Sequence, residues 1–246
     1  MTTDQIAFGL AVFLIAGVVK GLVGMGLPTI VIALTSLVLP LTEAIALIAL
    51  PTIFSNVWQA AVGGNFMAIL RRQWILIVPL MIGLYGTMWL AGQKGPNWAF
   101  FVLSAVLVAY STLGLFRIRL HIHADLEKPL APVIGVVSGF IAGLVGVPVV
   151  PLMPYLQGLD IKPSELVQTL GVVLCATSLT LTASLLTFGL LDGPRAIVSA
   201  VAVVPALAGM YVGQRIRLKL SIEQFRLAVF WALLLMGLYT FASRLL

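Results

Sequence analysis

Long apolar stretches alternate with short polar ones along the whole chain. Uncharged runs occupy residues 44–70, 73–93, 95–116, 129–159, 166–191, 196–214 and 227–243, most of them near or above the roughly 20 residues that carry a helix across a bilayer. The short alternating segments of a membrane barrel are not what this pattern looks like. The expected fold is an all-α polytopic membrane protein, with connections too short for a separate soluble domain. In chain order the pattern predicts a broken element at 5–39 and spans at 43–64, 74–93 and 98–116. A second broken element at 130–158 then precedes spans at 164–188, 195–213 and 225–244.

The breaks are local. KGLVGMGLP, Lys20 to Pro28, interrupts a hydrophobic run with Gly21, Gly24, Gly26 and Pro28; broken backbone at membrane depth is tolerated only where it is buried or lines a cavity. GLVGVP, with Gly143, Gly146 and Pro148, repeats the pattern 122 residues later. At that spacing Thr42-Glu43 meets Ser164-Glu165, Phe66 meets Phe188, and Gly86 to Trp89 meets Ala208 to Tyr211. GVVKG at Gly17 and GVVSG at Gly135 correspond at a spacing of 118, which implies one extra helical turn in the second copy. The chain therefore reads as a duplication, 1–120 and 130–246 joined by a linker at 121–129, and such internal symmetry is a mark of secondary transporters.

The arm after each break is only some 9 to 11 residues, about 14–17 Å of helix, too short to cross. A re-entrant hairpin returns the chain to the side it entered from, leaves three crossings per half, and so inverts the halves. Charge placement agrees. With 61% hydrophobic and 9% charged residues the chain is no ordinary soluble domain, and its net charge of +6 sits between apolar segments, as the positive-inside rule requires, without implying nucleic acid. In the inverted arrangement Arg71, Arg72, Arg117, Arg119, Lys128, Lys162, Arg215, Arg217, Lys219 and Arg226 face the cytoplasm and only Lys94, Arg195 and Arg244 lie outside. A single crossing at each break would split them nearly evenly. Both termini are then periplasmic, and the first segment, which lacks a basic start and a clear cleavage site, is read as retained.

Few residues could carry chemistry. A half-helix beginning near Pro28 would aim its positive end and unpaired N–H groups at the membrane interior, a geometry that favours an anion. Thr29 adds a hydroxyl. Lys20 either snorkels to the cytoplasmic surface or takes part in anion binding. The glycines either form a site or let helices pack closely, as the GxxxG spacings Gly17–Gly21 and Gly135–Gly139 would. Thr52, Ser55, Asn56 and Gln59 share one face of a span, matched by Gln168, Thr169, Thr177 and Ser178; such polar faces line a pathway or join helices. Glu43 and Glu165 each follow a hydroxyl residue at the start of a span, where the hydroxyl can cap the helix and the carboxylate complements its dipole. Coupling through a proton would need either carboxylate to be buried. Cys175 reads as a small apolar residue, and the HxH pair His121 and His123 as part of a solvated linker. No catalytic constellation, cofactor motif or metal set is present in the sequence, so no enzyme, cofactor or metal is expected.

The duplicated glycine-rich break GLVGMGLP, its second copy GLVGVP and the central basic loop resemble the sulfite exporter TauE/SafE family, also called the toluene sulfonate uptake permease family, over essentially the whole chain. The resemblance implies a transporter of the bacterial inner membrane for a small anion: sulfite, an organosulfonate or a related organosulfur compound. It places the substrate at Gly21, Gly24, Gly26 and Pro28 with Gly143, Gly146 and Pro148. Met25, Leu27 and Val147 stand where family members often have adjacent glycines, which would make the site narrower and more apolar. A coupling ion, the direction of transport and homo-oligomers are left open, and a non-transporting membrane scaffold or assembly factor and an anion channel are the alternatives.

Overall fold

The computed structural model describes residues 3–91, 96, 98–116, 121–217 and 222–242. Among them there are eleven helices and no strand, as the apolar runs require, and the protein is an all-α polytopic membrane protein. Helices α1 (Thr3–Val23), α2 (Leu27–Thr35), α3 (Leu41–Leu47), α4 (Ala49–Ala61), α5 (Phe66–Ala91) and α6 (Ala99–Leu115) make up the first half. The second half has α7 (Ala124–Val145), α8 (Val149–Gly158), α9 (Pro163–Thr187), α10 (Gly193–Arg217) and α11 (Ile222–Ala242). Four helices among the described residues are long and apolar enough to cross a membrane, or five if the bent pair α3–α4 is one span. Of the basic residues used to orient the chain, Lys94, Arg117, Arg119, Lys219 and Arg244 lie outside the described residues.

Both expected breaks occur, flanked by unequal arms. The arms before them, of 21 and 22 residues, are each about 30 Å long, whereas α2 and α8, of 9 and 10 residues, reach only about 15 Å. Helix α7 begins at Ala124, inside the stretch expected as linker, because Asp125 and Glu127 favour a helix N-terminus. Helix α3 does not carry the hydroxyl cap expected at Thr42. The N-cap positions of α3 and α9 are Pro40 and Lys162, without a side-chain cap bond.

The span expected over 43–64 is instead two helices that meet at a 43° bend near Ile48. Pro51 is the cause: it has no N–H for Leu47 O, and its ring crowds that carbonyl. Ser199 of α10 fills the gap, its Oγ donating to Leu47 O at 3.0 Å and accepting from Leu50 N at 3.1 Å. Its partner α9 has Val173 at the corresponding place and runs unbroken.

Helices pack through glycine. A Cβ on Gly17 would strike Ala206 O and lie 3.0 Å from Met210 N, and one on Gly21 would strike Met210 O. In the other half, Gly139 meets Leu80 O and Gly143 would place a Cβ 2.8 Å from Leu84 O. Thus α1 lies along α10 and α7 along α5, each pair parallel, with the α7–α5 contact displaced by one helical turn from the 122-residue spacing. Close backbone approach maximises packing between membrane helices, which gain nothing from excluding water. The other two main pairings join equivalent helices. Asn56 of α4 meets Leu174 of α9 while Ala60 meets Gln168, and Gly114 of α6 meets Phe230 of α11 while Phe101 meets Phe241. Both of these pairs run antiparallel.

Candidate functional site

At the first break Gly24 (φ 87°) and Gly26 (φ 107°) lie in the left-handed region that side-chain-bearing residues avoid. Gly24 N closes α1 on Lys20 O at 2.7 Å, and Gly26 caps α2, whose first turn contains Pro28 as expected. The first N–H groups of α2 therefore point back toward the break. Gly24 faces α4 and α9: a Cβ there would lie 4.0 Å from Gln59 Nε2 and 3.9 Å from Val167.

Lys20 does not snorkel. It is 1% exposed, one turn before the break, and its Nζ donates to Ser55 Oγ at 3.0 Å and to Asn56 Oδ1. Both partners are neutral, and no carboxylate among the described residues pairs with it. The polar face of α4 expected from its spacing is thus turned inward, with Thr52, Ser55, Asn56 and Gln59 all buried.

That face also joins helices. Asn56 Nδ2 donates to Leu174 O at 3.0 Å and to Ser178 Oγ at 3.4 Å, and Gln59 Nε2 to Val167 O at 2.9 Å. Gln168 answers from α9, donating to Ala60 O at 2.9 Å and accepting from Asn65 N at 3.3 Å. Each amide ties α4 to α9 with one end. The other end of Asn56 faces Lys20, and Gln59 Oε1 is buried without a hydrogen-bond partner. Thr52 and Thr177 are spent on their own helices, bonding Ile48 O and Val173 O, while Thr29 and Thr169 are buried.

The second break ends its long arm as the first does and differs beyond it: Pro148 (φ −91°), not a left-handed glycine, caps α8, and Val150 inside α8 has extended backbone. Gly146 (φ 81°) closes α7 on Ala142 O at 2.8 Å, so Ala142 stands where the first half has Lys20. A Cβ on Gly146 would lie 2.7 Å from Ile32 Cδ1 and 3.0 Å from Ile45 Cγ1, and Val147 and Leu144 around it are buried. Gly143, like Gly21, is pressed against a neighbouring helix. Lys20, Gly24, Ser55, Asn56, Gln59 and Ser178 are therefore brought together, while Gly143, Gly146 and Pro148 form a separate apolar neighbourhood. Met25 turns elsewhere too, accepting a hydrogen bond from Tyr110 on Sδ at 2.8 Å.

Two residues escaped sequence reasoning. Pro51 signals a free carbonyl at Leu47, but nothing local identifies Ser199 as its partner. Glu127 looked like one charge of a solvated linker, yet it grips Arg72 with both oxygens, at 2.7 and 2.8 Å. Of the expected helix-start carboxylates, Glu43 pairs with Arg195 at 3.4 Å and Glu165 with Arg72 at 3.8 Å. Among the described residues no cluster of His, Cys, Asp and Glu could hold a metal ion.

No curated protein and no solved structure matches the chain. A protein family does: the family model described as sulfite exporter TauE/SafE matches residues 9–240, nearly its full length, and the chain belongs to that family.

Proposed function

We propose that the protein is a secondary transporter that binds a small anion, sulfite or an organosulfonate, at the first break and exposes it to each side of the membrane in turn. The observation that carries this reading is the amino group of Lys20, which is 1% exposed and bonded to neutral groups; a bound anion would keep it protonated. Burying an uncompensated charge costs several kcal/mol, and a hydroxyl and an amide oxygen offset only part of it. A bound anion supplies the rest. The N-terminus of α2 favours the same sign of charge, and Gly24 and Gly26 leave the backbone bare enough for a ligand to approach.

The directions of the helices support inverted halves. If each broken element turns back, each half makes three further crossings, so α4 and α9 cross in opposite senses, as do α6 and α11. A single crossing at each break would make those pairs parallel, and they run antiparallel. Inverted halves rocking about a central site are an established route to alternating access. The same arrangement puts both termini on the periplasmic side of a bacterial inner membrane.

Flux of sulfite and of taurine in vesicles, beside the melting temperature of the purified protein with each anion, tests the reading. Lys20→Met is expected to remain folded, to lose the sulfite-dependent rise in melting temperature, and to lose flux. Full flux in Lys20→Met would remove the argument. Flux that never saturates and shows no counterflow would mark a channel instead.

A further inference from the structure

The two helix-start carboxylates take part in ion pairs that join the halves at opposite ends of the molecule. Glu43, in the first turn of α3, meets Arg195, in the first turn of α10, with Nη2 to Oε1 at 3.4 Å. Glu165, in the first turn of α9, meets Arg72 near the start of α5 at 3.8 Å, and Arg72 is also held by Glu127 of α7 at 2.7 Å. The two glutamates are equivalent positions of the duplication, 122 residues apart, and their arginine partners lie one residue off that register. In each, a glutamate from one half pairs with an arginine from the other. Because α4 and α9 run antiparallel, their helix starts lie at opposite ends, with Lys20, Ser55 and Asn56 along the stretch between.

We infer that Glu43–Arg195 and Arg72 with Glu165 and Glu127 are opposed latches, which release in alternation to open the Lys20 site first to one side and then to the other. This rests on the proposed transport site. All five side chains are partly exposed, with Arg72, Glu165, Glu43 and Arg195 at 37, 31, 40 and 37% and Glu127 at 17%. Each bond is therefore worth little by itself, as a latch that must open on every cycle requires. The Glu43 end also has the means to move. Glu43 rides on the seven-residue α3, which joins α4 at the 43° Pro51 bend, and an open surface groove of about 530 Å³ bordered by Glu43, Leu47, Phe13, Arg195 and Ile197 lies beside it. Across the joint from α10, Ser199 bonds Leu47 O and Leu50 N. At the other end the grip is tighter: Arg72 binds Glu127 through two hydrogen bonds and reaches a second carboxylate.

The test uses Thr52→Cys, on the buried face of α4, in a Cys175→Ala background, treated with a membrane-impermeant methanethiosulfonate reagent in right-side-out and inside-out vesicles. Glu43→Gln is expected to raise labelling about two- to five-fold from the Glu43 side only. Arg72→Gln is expected to raise it from the opposite side only. Arg215→Gln, which removes a hydrogen bond to Tyr211 at 2.7 Å and touches neither latch, should leave both sides unchanged. Labelling that rises from the same side in both variants, or stays at its starting rate from both sides while the melting temperature falls, overturns the latches. Protection of Thr52→Cys by sulfite is read separately: its absence would count against the anion site, whatever the latches do.

Discussion

Lys20 shows how one position can be undecidable in sequence and decided by its neighbours. A lysine near the end of a membrane helix ordinarily lets its stem lie in the apolar layer while its ammonium reaches water. Here α4 covers that route, and Ser55 and Asn56 take the ammonium instead. Asn56→Asp would give Lys20 an internal counter-ion. The variant should fold, yet the rise in melting temperature with sulfite should fall at least about tenfold in apparent affinity, since the site no longer needs an anion; an undiminished rise would contradict the role given to Lys20. Met25 offers the opposite case. Its sulfur faces Tyr110, so Met25→Gly should leave the preference between sulfite and taurine unchanged, as measured by competition in flux assays.

At the scale of elements, the glycines divide into two kinds that their spacing alone does not separate. Gly24, Gly26 and Gly146 have positive φ and lie at helix boundaries; Gly17, Gly21, Gly139 and Gly143 have ordinary helical backbones pressed against a neighbour. Gly139→Ala should cost about 1–3 kcal/mol, because the added methyl meets backbone that cannot step aside. Gly86→Ala, with nothing within 4 Å of its Cβ, should be neutral or stabilising by up to about 1 kcal/mol. Thermal unfolding in detergent compares the two, and equal effects would mean the α5–α7 contact is looser than described. Ser199→Ala tests the bend in the same way. It strands Leu47 O and Leu50 N, at a cost of about 1–3 kcal/mol, whereas Ser199→Thr keeps a hydroxyl for them.

For the whole molecule, the pairing of α1 with α10 and of α7 with α5 exchanges helices between the halves, so neither half is a separate packing unit. Topology follows from the inverted arrangement. A reporter fused after Leu246 should read as periplasmic and one inserted at His121 as cytoplasmic; the reverse result for both would flip the orientation, and the same side for both would sink the inversion.

The class, the two breaks and the polar face of α4 were legible in the sequence because each depends on local rules: apolar length, the conformational freedom of glycine, and the 3.6-residue helical period. Gly24, Pro28 and Asn56 could be singled out for those reasons. The bend at Pro51 was half legible, since proline removes a donor at a known place, while Ser199, which repairs it, lies about 150 residues away. Only the tertiary structure decided that Lys20 is enclosed, that the second break is surrounded by Ile32 and Ile45, and that Glu43 and Glu165 meet arginines of the opposite half. Each of those outcomes depends on which surface of a distant helix covers the residue, and that surface is set by packing across the two halves.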